Sequence, residues 1–199
     1  MRTLPKNRTV SRPGDASPGT GWQAVAGWQV IALGAFAVLI LFFGNTGERW
    51  FPLLDSANLV FHEAGHPILG LFSHRLGVYG GTLGQLVFPL VVAASFLRRR
   101  DAVSTSFSLL WLCQNFFNIA RYMADARVQL LPLVGGGDHD WTEIFSRWHL
   151  LHLDTGIAAL IRCLGFCGVL AACLALAWLC WQQHRAPGSP APRQRPGIR

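Results

Sequence analysis

The stretch LLDSANLVFHEAGHPILGLF, residues 53–72, decides how this chain is interpreted. Its length is close to the roughly 20 apolar residues that cross a bilayer as a helix. It nevertheless carries Asp55, Asn58, His62, Glu63 and His66. Ionisable side chains are costly in a membrane segment and mark it as a candidate functional site. The stretch therefore predicts a membrane helix that carries chemistry.

The spacing of His62, Glu63 and His66 fits the pattern H-E-x-x-H. Residues four apart lie on one face of a helix, so both imidazoles can bind one metal ion. Glu63 points about 100° away from His62, close enough to reach a water that the metal activates, and can take its proton. The pattern predicts Zn2+ held by His62 and His66, with Glu63 as general base. The alternative is an incidental cluster of polar side chains.

Four further apolar blocks surround this one, at about residues 23–43, 78–97, 103–125 and 155–181. Apolar residues make up 51% of the 199-residue chain and charged residues only 14%, against about 25% charged in a usual globular protein. We expect an all-α integral membrane protein with about five membrane helices and a Gly-rich polar loop. The helix with the motif either spans the membrane fully or enters it without spanning it. The expected location is multi-pass in a plasma membrane of the bacterial inner-membrane type, with the lipid bilayer as partner.

The net charge of +7 lies mostly in the two ends of the chain and in Arg98–Arg100. Basic clusters tend to stay cytoplasmic, so the charge indicates membrane topology and not a nucleic-acid partner. Five full crossings cannot place all three clusters on one side, whereas a motif helix that does not cross can. We expect a disordered basic tail over residues 1–21, a membrane-embedded domain over 22–181 and a disordered Pro/Arg-rich tail over 182–199.

A second polar stripe follows in the block at about residues 103–125. Its spacings place its members on one helical face. Catalytic zinc usually takes three protein ligands, and Asp125 is the only acid of this stripe. Asp125 is therefore a candidate third ligand. The alternative is that Asp125 pairs with Arg121 or Arg127 at the membrane edge. The stripe consists of Asn115, Asn118, Tyr122, Asp125 and Gln129.

The polar stretch after this block offers another candidate, because Asp138, His139 and Asp140 follow three glycines. His139 could be the third ligand or could stabilise an oxyanion, with Asp138 orienting it. The alternative is an interfacial loop anchored by tryptophans, in which Asp140 only caps a helix.

Two supporting features leave alternatives open. Asn58 and Asn118 are candidates to support the site, and Asn58 could instead cap the motif helix. The glycines at positions 77, 80, 81 and 84 permit close packing of helices. They equally permit an extended segment whose edge pairs with a peptide.

The motif, followed by Pro67-Ile68-Leu69-Gly70, resembles the site-2 protease group of intramembrane zinc metallopeptidases. The resemblance implies that His62 and His66 bind zinc, that Glu63 is the general base and that an Asp of a later membrane helix is the third ligand. Asp125 is the best match. The family's Pro before this Asp and Gly after it are missing here.

The resemblance implies a membrane-embedded, metallopeptidase-like domain that hydrolyses peptide bonds of a membrane protein or peptide. Two other functions fit the residues. One is a non-catalytic metal-binding membrane protein, which would not need Glu63. The other is a zinc hydrolase that acts on a lipid-like substrate.

Overall fold

A computed structural model of the chain describes residues 21–45, 50–134 and 138–185. These residues are almost entirely helical, which confirms the all-α prediction. The predicted tail over residues 1–21, apart from Gly21, lies outside the described residues, as do the three glycines of the polar loop and residues 186–199. The elements are α1 (Gly27–Asn45), α2 (Pro52–Gly70), α3 (His74–Arg98), α4 (Ala102–Ala124), α5 (Asp140–Arg147), a 3-10 turn (Leu151–Leu153) and α6 (Asp154–Arg185).

Three segments are long and apolar enough to cross a membrane, Gly27–Gly44, His74–Arg98 and Leu151–Arg185. They correspond to α1, α3 and α6, so the chain is compatible with a membrane protein. The helices α2 and α4 are less apolar because each carries a polar stripe. Helix α6 continues to Arg185, four residues into the predicted C-terminal tail.

Helix α4 lies at the centre and contacts the other five α-helices. Its buried Leu110, Cys113 and Phe117 belong to the core that α4 forms with α1 and α6. Towards its C-terminal end, Ile119 and Met123 join a second core with α5 and the start of α6. The short helix α5 is therefore fixed against the C-terminal end of α4, and this end carries the candidate site.

Helices α2 and α3 pack with their backbones in contact. A Cβ atom on Gly80 would overlap the backbone of Gly65, and one on Gly84 would overlap the carbonyl of Phe61. Small residues at this spacing allow two helices to approach closely. Because residues 74–98 form one helix, the glycines serve packing, and the alternative of an extended edge is wrong.

The start of α1, the turn between α3 and α4 and the end of α6 lie at one end of the molecule. The Gln23 amide donates to the Arg100 carbonyl at 2.9 Å, and Gln183 Nε2 donates to the Gln23 carbonyl at 3.0 Å. Helices α1 and α4 run away from this end, and α3 and α6 return to it. By contrast, α2 begins beside Gln114, about halfway along α4.

Candidate metal centre

Three side chains converge where the first residue of α5 meets α2. Asp140 Oδ2 lies 3.0 Å from His62 Nε2 and 3.4 Å from His66 Nε2. The three candidate ligand atoms all lie within 4.8 Å of one another. His62 and Asp140 are buried, whereas His66 is partly exposed. His62, His66 and Asp140 could together hold a metal ion.

The geometry and the donor chemistry of this cluster fit a metal ion. Bonds of about 2.0–2.2 Å in a tetrahedral site place the ligand atoms about 3.3–3.5 Å apart. The 3.4 Å separation of Asp140 Oδ2 from His66 Nε2 lies in that range, and its 3.0 Å separation from His62 Nε2 is somewhat shorter. In addition, Asp140 Oδ2 is buried and makes no hydrogen bond of acceptable geometry. A buried carboxylate oxygen without such a bond is costly, and a cation would satisfy it.

A hydrogen bond to α3 orients one of the two imidazoles. His66 Nδ1 lies 2.9 Å from the carbonyl oxygen of Gly77. A carbonyl only accepts, so Nδ1 carries the proton and a neutral ring presents a free lone pair at Nε2. Such an outer hydrogen bond fixes the tautomer of many metal-binding histidines.

Gly81 of α3 gives the two imidazoles the space that they occupy. A Cβ atom at this position would lie 2.5 Å from His62 Nε2 and 2.7 Å from His66 Nε2. Any side chain other than hydrogen would therefore collide with both candidate ligand atoms. The close packing of α2 on α3 is what brings this backbone to the site.

Tyr122 and the N-terminus of α5 hold Asp140 in place. The Asp140 amide donates to the Tyr122 hydroxyl at 3.2 Å, and the Tyr122 ring meets the His62 ring edge-on at 5.8 Å. His139 is the N-cap of α5, and its Nδ1 accepts from the Thr142 amide at 3.3 Å. Asp140 thus begins a capped helix and is tied to α4.

The predicted third ligand, Asp125, does not lie in this cluster. Helix α4 ends at Ala124, and Asp125 is its C-cap residue. Its carboxylate accepts from the amides of Leu130 and Leu131, at 2.9 and 3.0 Å. Asp125 therefore holds the start of the loop that leads to Asp140, and Asp140 is the third member of the cluster.

The two arginines weighed as partners of Asp125 do not pair with it. Arg127 forms an ion pair with the buried Asp154 of α6 at 2.7 Å, which raises the pKa of the Arg127 guanidinium. Arg121 makes no ion pair with a described residue. The Arg127–Asp154 pair fastens the segment after α4 to the start of α6.

His139 and Asp138 lie beside the cluster and not among its ligand atoms. His139 is buried against the Tyr122 ring, with 4.1 Å between ring centroids, and its Nε2 lies 3.5 Å from Asp125 Oδ2. Burial lowers the pKa of His139, which favours the neutral ring. Asp138 is exposed and lines the cavity in front of the cluster.

That cavity has a volume of about 280 Å³, and Glu63 lines it together with both motif histidines. Glu63 is half-buried and makes no ion pair with a described residue. Its carboxylate is therefore available to a molecule in the cavity. The remaining polar lining residues are Asp55, Gln85, Asn118, Arg121, Tyr122 and Asp138.

Asn58 and Asn118 position α2, and their hydrogen bonds go to other described residues and not to an imidazole. Asn58 accepts from Trp111 Nε1 at 2.8 Å and donates to Gln114 Oε1 at 2.5 Å. Asn118 donates to Asp55 Oδ1 at 3.3 Å. Asp55 also accepts from the Phe51 amide, so it caps the start of α2. This network sets where α2 begins along α4 and therefore the position of His62 along α4.

Comparison of the chain with protein-family models, with curated proteins and with solved structures gives no match. The sequence predicts a helix cap at Asp140 and not a ligand, so this member of the cluster comes from the structure alone. The available signal was its place in the run Asp138-His139-Asp140.

Proposed function

We propose that this protein is a membrane-embedded zinc metallopeptidase similar to the site-2 protease group. The observation that carries the proposal is the convergence of His62, His66 and Asp140 beside a cavity that Glu63 also lines. Two imidazoles and one carboxylate, with a fourth position left for water, are the donor set of many catalytic zinc sites. This donor set is the reason to prefer zinc over magnesium or calcium, which favour oxygen ligands alone.

The chemistry follows from the placement of these side chains. A zinc ion, when bound, lowers the pKa of water and polarises a carbonyl oxygen. Glu63 takes a proton from the attacking water and passes it to the leaving nitrogen. Tyr122 and Gly77 keep Asp140 and His66 in position through their hydrogen bonds. A substrate helix must unwind locally, because a membrane helix hides its peptide bonds.

We further propose five membrane-embedded helices, α1, α2, α3, α4 and α6, in a plasma membrane of the bacterial inner-membrane type. The end that carries Arg98–Arg100 and the described residues next to both basic tails would face the cytoplasm. Helix α2 would begin within the membrane, as its contacts with the middle of α4 suggest. Tyr122 lies about 30 Å along α4 from its start, so the site would open towards the other face.

The test is turnover of peptides by the purified, zinc-loaded protein, with Glu63→Gln as the paired variant. The proposal expects hydrolysis by the unaltered protein, and an unchanged zinc content but no hydrolysis in the variant. Zinc binding without turnover of any peptide, lipid or ester in both proteins would instead support a non-catalytic metal protein. Turnover of lipids alone would assign the site to lipid hydrolysis.

A further inference from the structure

Arg121 is a cation in the wall of the cavity that His62 and His66 also line. It lies on α4 directly before Tyr122 and is partly buried. No carboxylate of the described residues comes within 4.0 Å of its guanidinium. A partly buried charge without a partner is unfavourable, so a ligand that supplies an anion would be stabilised here.

The carboxylates that line the same cavity form no ion pair with Arg121. Asp55 is occupied by the Phe51 amide and by the side chains of Gln114 and Asn118. Glu63 lies next to His62 on α2, and Asp138 is exposed on the loop before α5. Arg121 pairs with none of the three, although they lie in one cavity.

The rest of the cavity wall indicates the polarity and the size of a ligand that would fit. Apolar side chains form a large part of the wall. The volume of about 280 Å³ is near the lower end of the roughly 300–1,000 Å³ of small-molecule sites. A cavity of this size has room for a short peptide end. The apolar lining residues are Trp50, Leu59, Leu131, Pro132, Leu133 and Val134.

We propose that Arg121 binds the free C-terminal carboxylate of a peptide whose last residue is apolar, so that the site removes residues from the C-terminus. This inference rests on the proposed peptidase function and names its substrate class. A guanidinium matches a carboxylate with two parallel hydrogen bonds. In hydrolysis, the water oxygen bonds to the last peptide carbonyl carbon and the C–N bond breaks. The nitrogen takes a proton from Glu63, which releases one amino acid.

The binding experiment uses the full chain in detergent, loaded with zinc and carrying Glu63→Gln so that no turnover occurs. The probes are N-acetyl-leucyl-leucine and its C-terminal amide, and calorimetry gives their Kd values. We expect the acid to bind about 10-fold to 100-fold more tightly than the amide, as for a hydrogen bond between charged groups. Arg121→Gln should abolish this difference by weakening the acid alone, and Arg121→Lys should retain part of it. Arg99→Gln, at the opposite end of the chain's fold, is the matched control and should change nothing.

The outcomes separate the inference from the function on which it rests. The binding of the terminal carboxylate by Arg121 is called the anchor below. Equal binding of acid and amide, or a preference for the acid that survives Arg121→Gln, would overturn this anchor. The anchor also fails if vesicles of anionic lipid occupy the site and the peptide acid does not. Hydrolysis of acid and amide at equal rates by the unaltered protein would leave the peptidase standing without the anchor. Arg121-dependent binding of the acid without any hydrolysis would keep the anchor and refute the peptidase.

Discussion

Alanine at position 81 would place a methyl group at the tips of both candidate zinc-binding imidazoles. The added carbon would lie 2.5 Å from His62 Nε2 and 2.7 Å from His66 Nε2. Carbon atoms in favourable contact are about 3.5–4.0 Å apart, so the rings must move by about 1 Å. Metal–ligand distances tolerate only about 0.2 Å. Gly81→Ala should therefore abolish the geometry of the site while leaving every ligand residue in the sequence.

The expected loss of zinc affinity is about 100-fold or more, the upper end of what supporting residues contribute to metal sites. Alanine favours a helix by about 1 kcal/mol over glycine, so α3 itself should not unfold. The assay is competition for zinc with a chelator of known affinity, beside circular dichroism for helix content. Gly34→Ala in α1 is the matched control, since a Cβ atom there meets nothing within 4 Å.

One result would refute this reasoning directly. If Gly81→Ala keeps its helix content and binds zinc as tightly as the unaltered chain, the imidazoles do not meet at Gly81 when metal is bound. A parallel loss of zinc in Gly34→Ala would show that any helix glycine matters, and that the effect is not local.

The remaining predictions concern the residues around the cluster. Glu63→Gln should leave zinc content unchanged and remove peptide hydrolysis, measured by release of free amines; hydrolysis that persists would exclude Glu63 as base. Tyr122→Phe removes the acceptor of the Asp140 amide and should lower zinc affinity about 10-fold, measured by chelator competition, because it disturbs a residue that supports the ligand. Asp125→Asn removes one of the two oxygens that accept from the amides of Leu130 and Leu131. It should lower the free energy of unfolding by about 1–2 kcal/mol, measured by chemical denaturation.

The sequence was a good guide to what depends on local pattern. The apolar blocks predicted the five long helices to within a few residues, because a long apolar segment is a local feature of the sequence. The spacing of His62 and His66 placed both imidazoles on one helical face for the same reason. The polar stripe of α4 also faces inward, with Asn118 and Tyr122 both at the cavity.

The third member of the cluster could not be predicted from local pattern. Asp125 continues the spacing of the stripe, yet its carboxylate accepts from the amides of Leu130 and Leu131, and local pattern does not give the path of that loop. Asp140 reaches His62 only because α5 folds back against the end of α4, which is a long-range contact. The importance of Gly81 was hidden likewise, since it depends on how closely α2 packs on α3.

The most direct test of this account is the zinc content per chain of detergent-purified protein, compared between Asp140→Ala and Asp138→Ala. Asp138 is the matched control, because it is a carboxylate two residues away that does not join the cluster. The account predicts about one zinc per unaltered chain, the same in Asp138→Ala, and a loss of more than about 100-fold in affinity in Asp140→Ala. Zinc that stays fully bound in Asp140→Ala would contradict the assignment of Asp140 as a ligand.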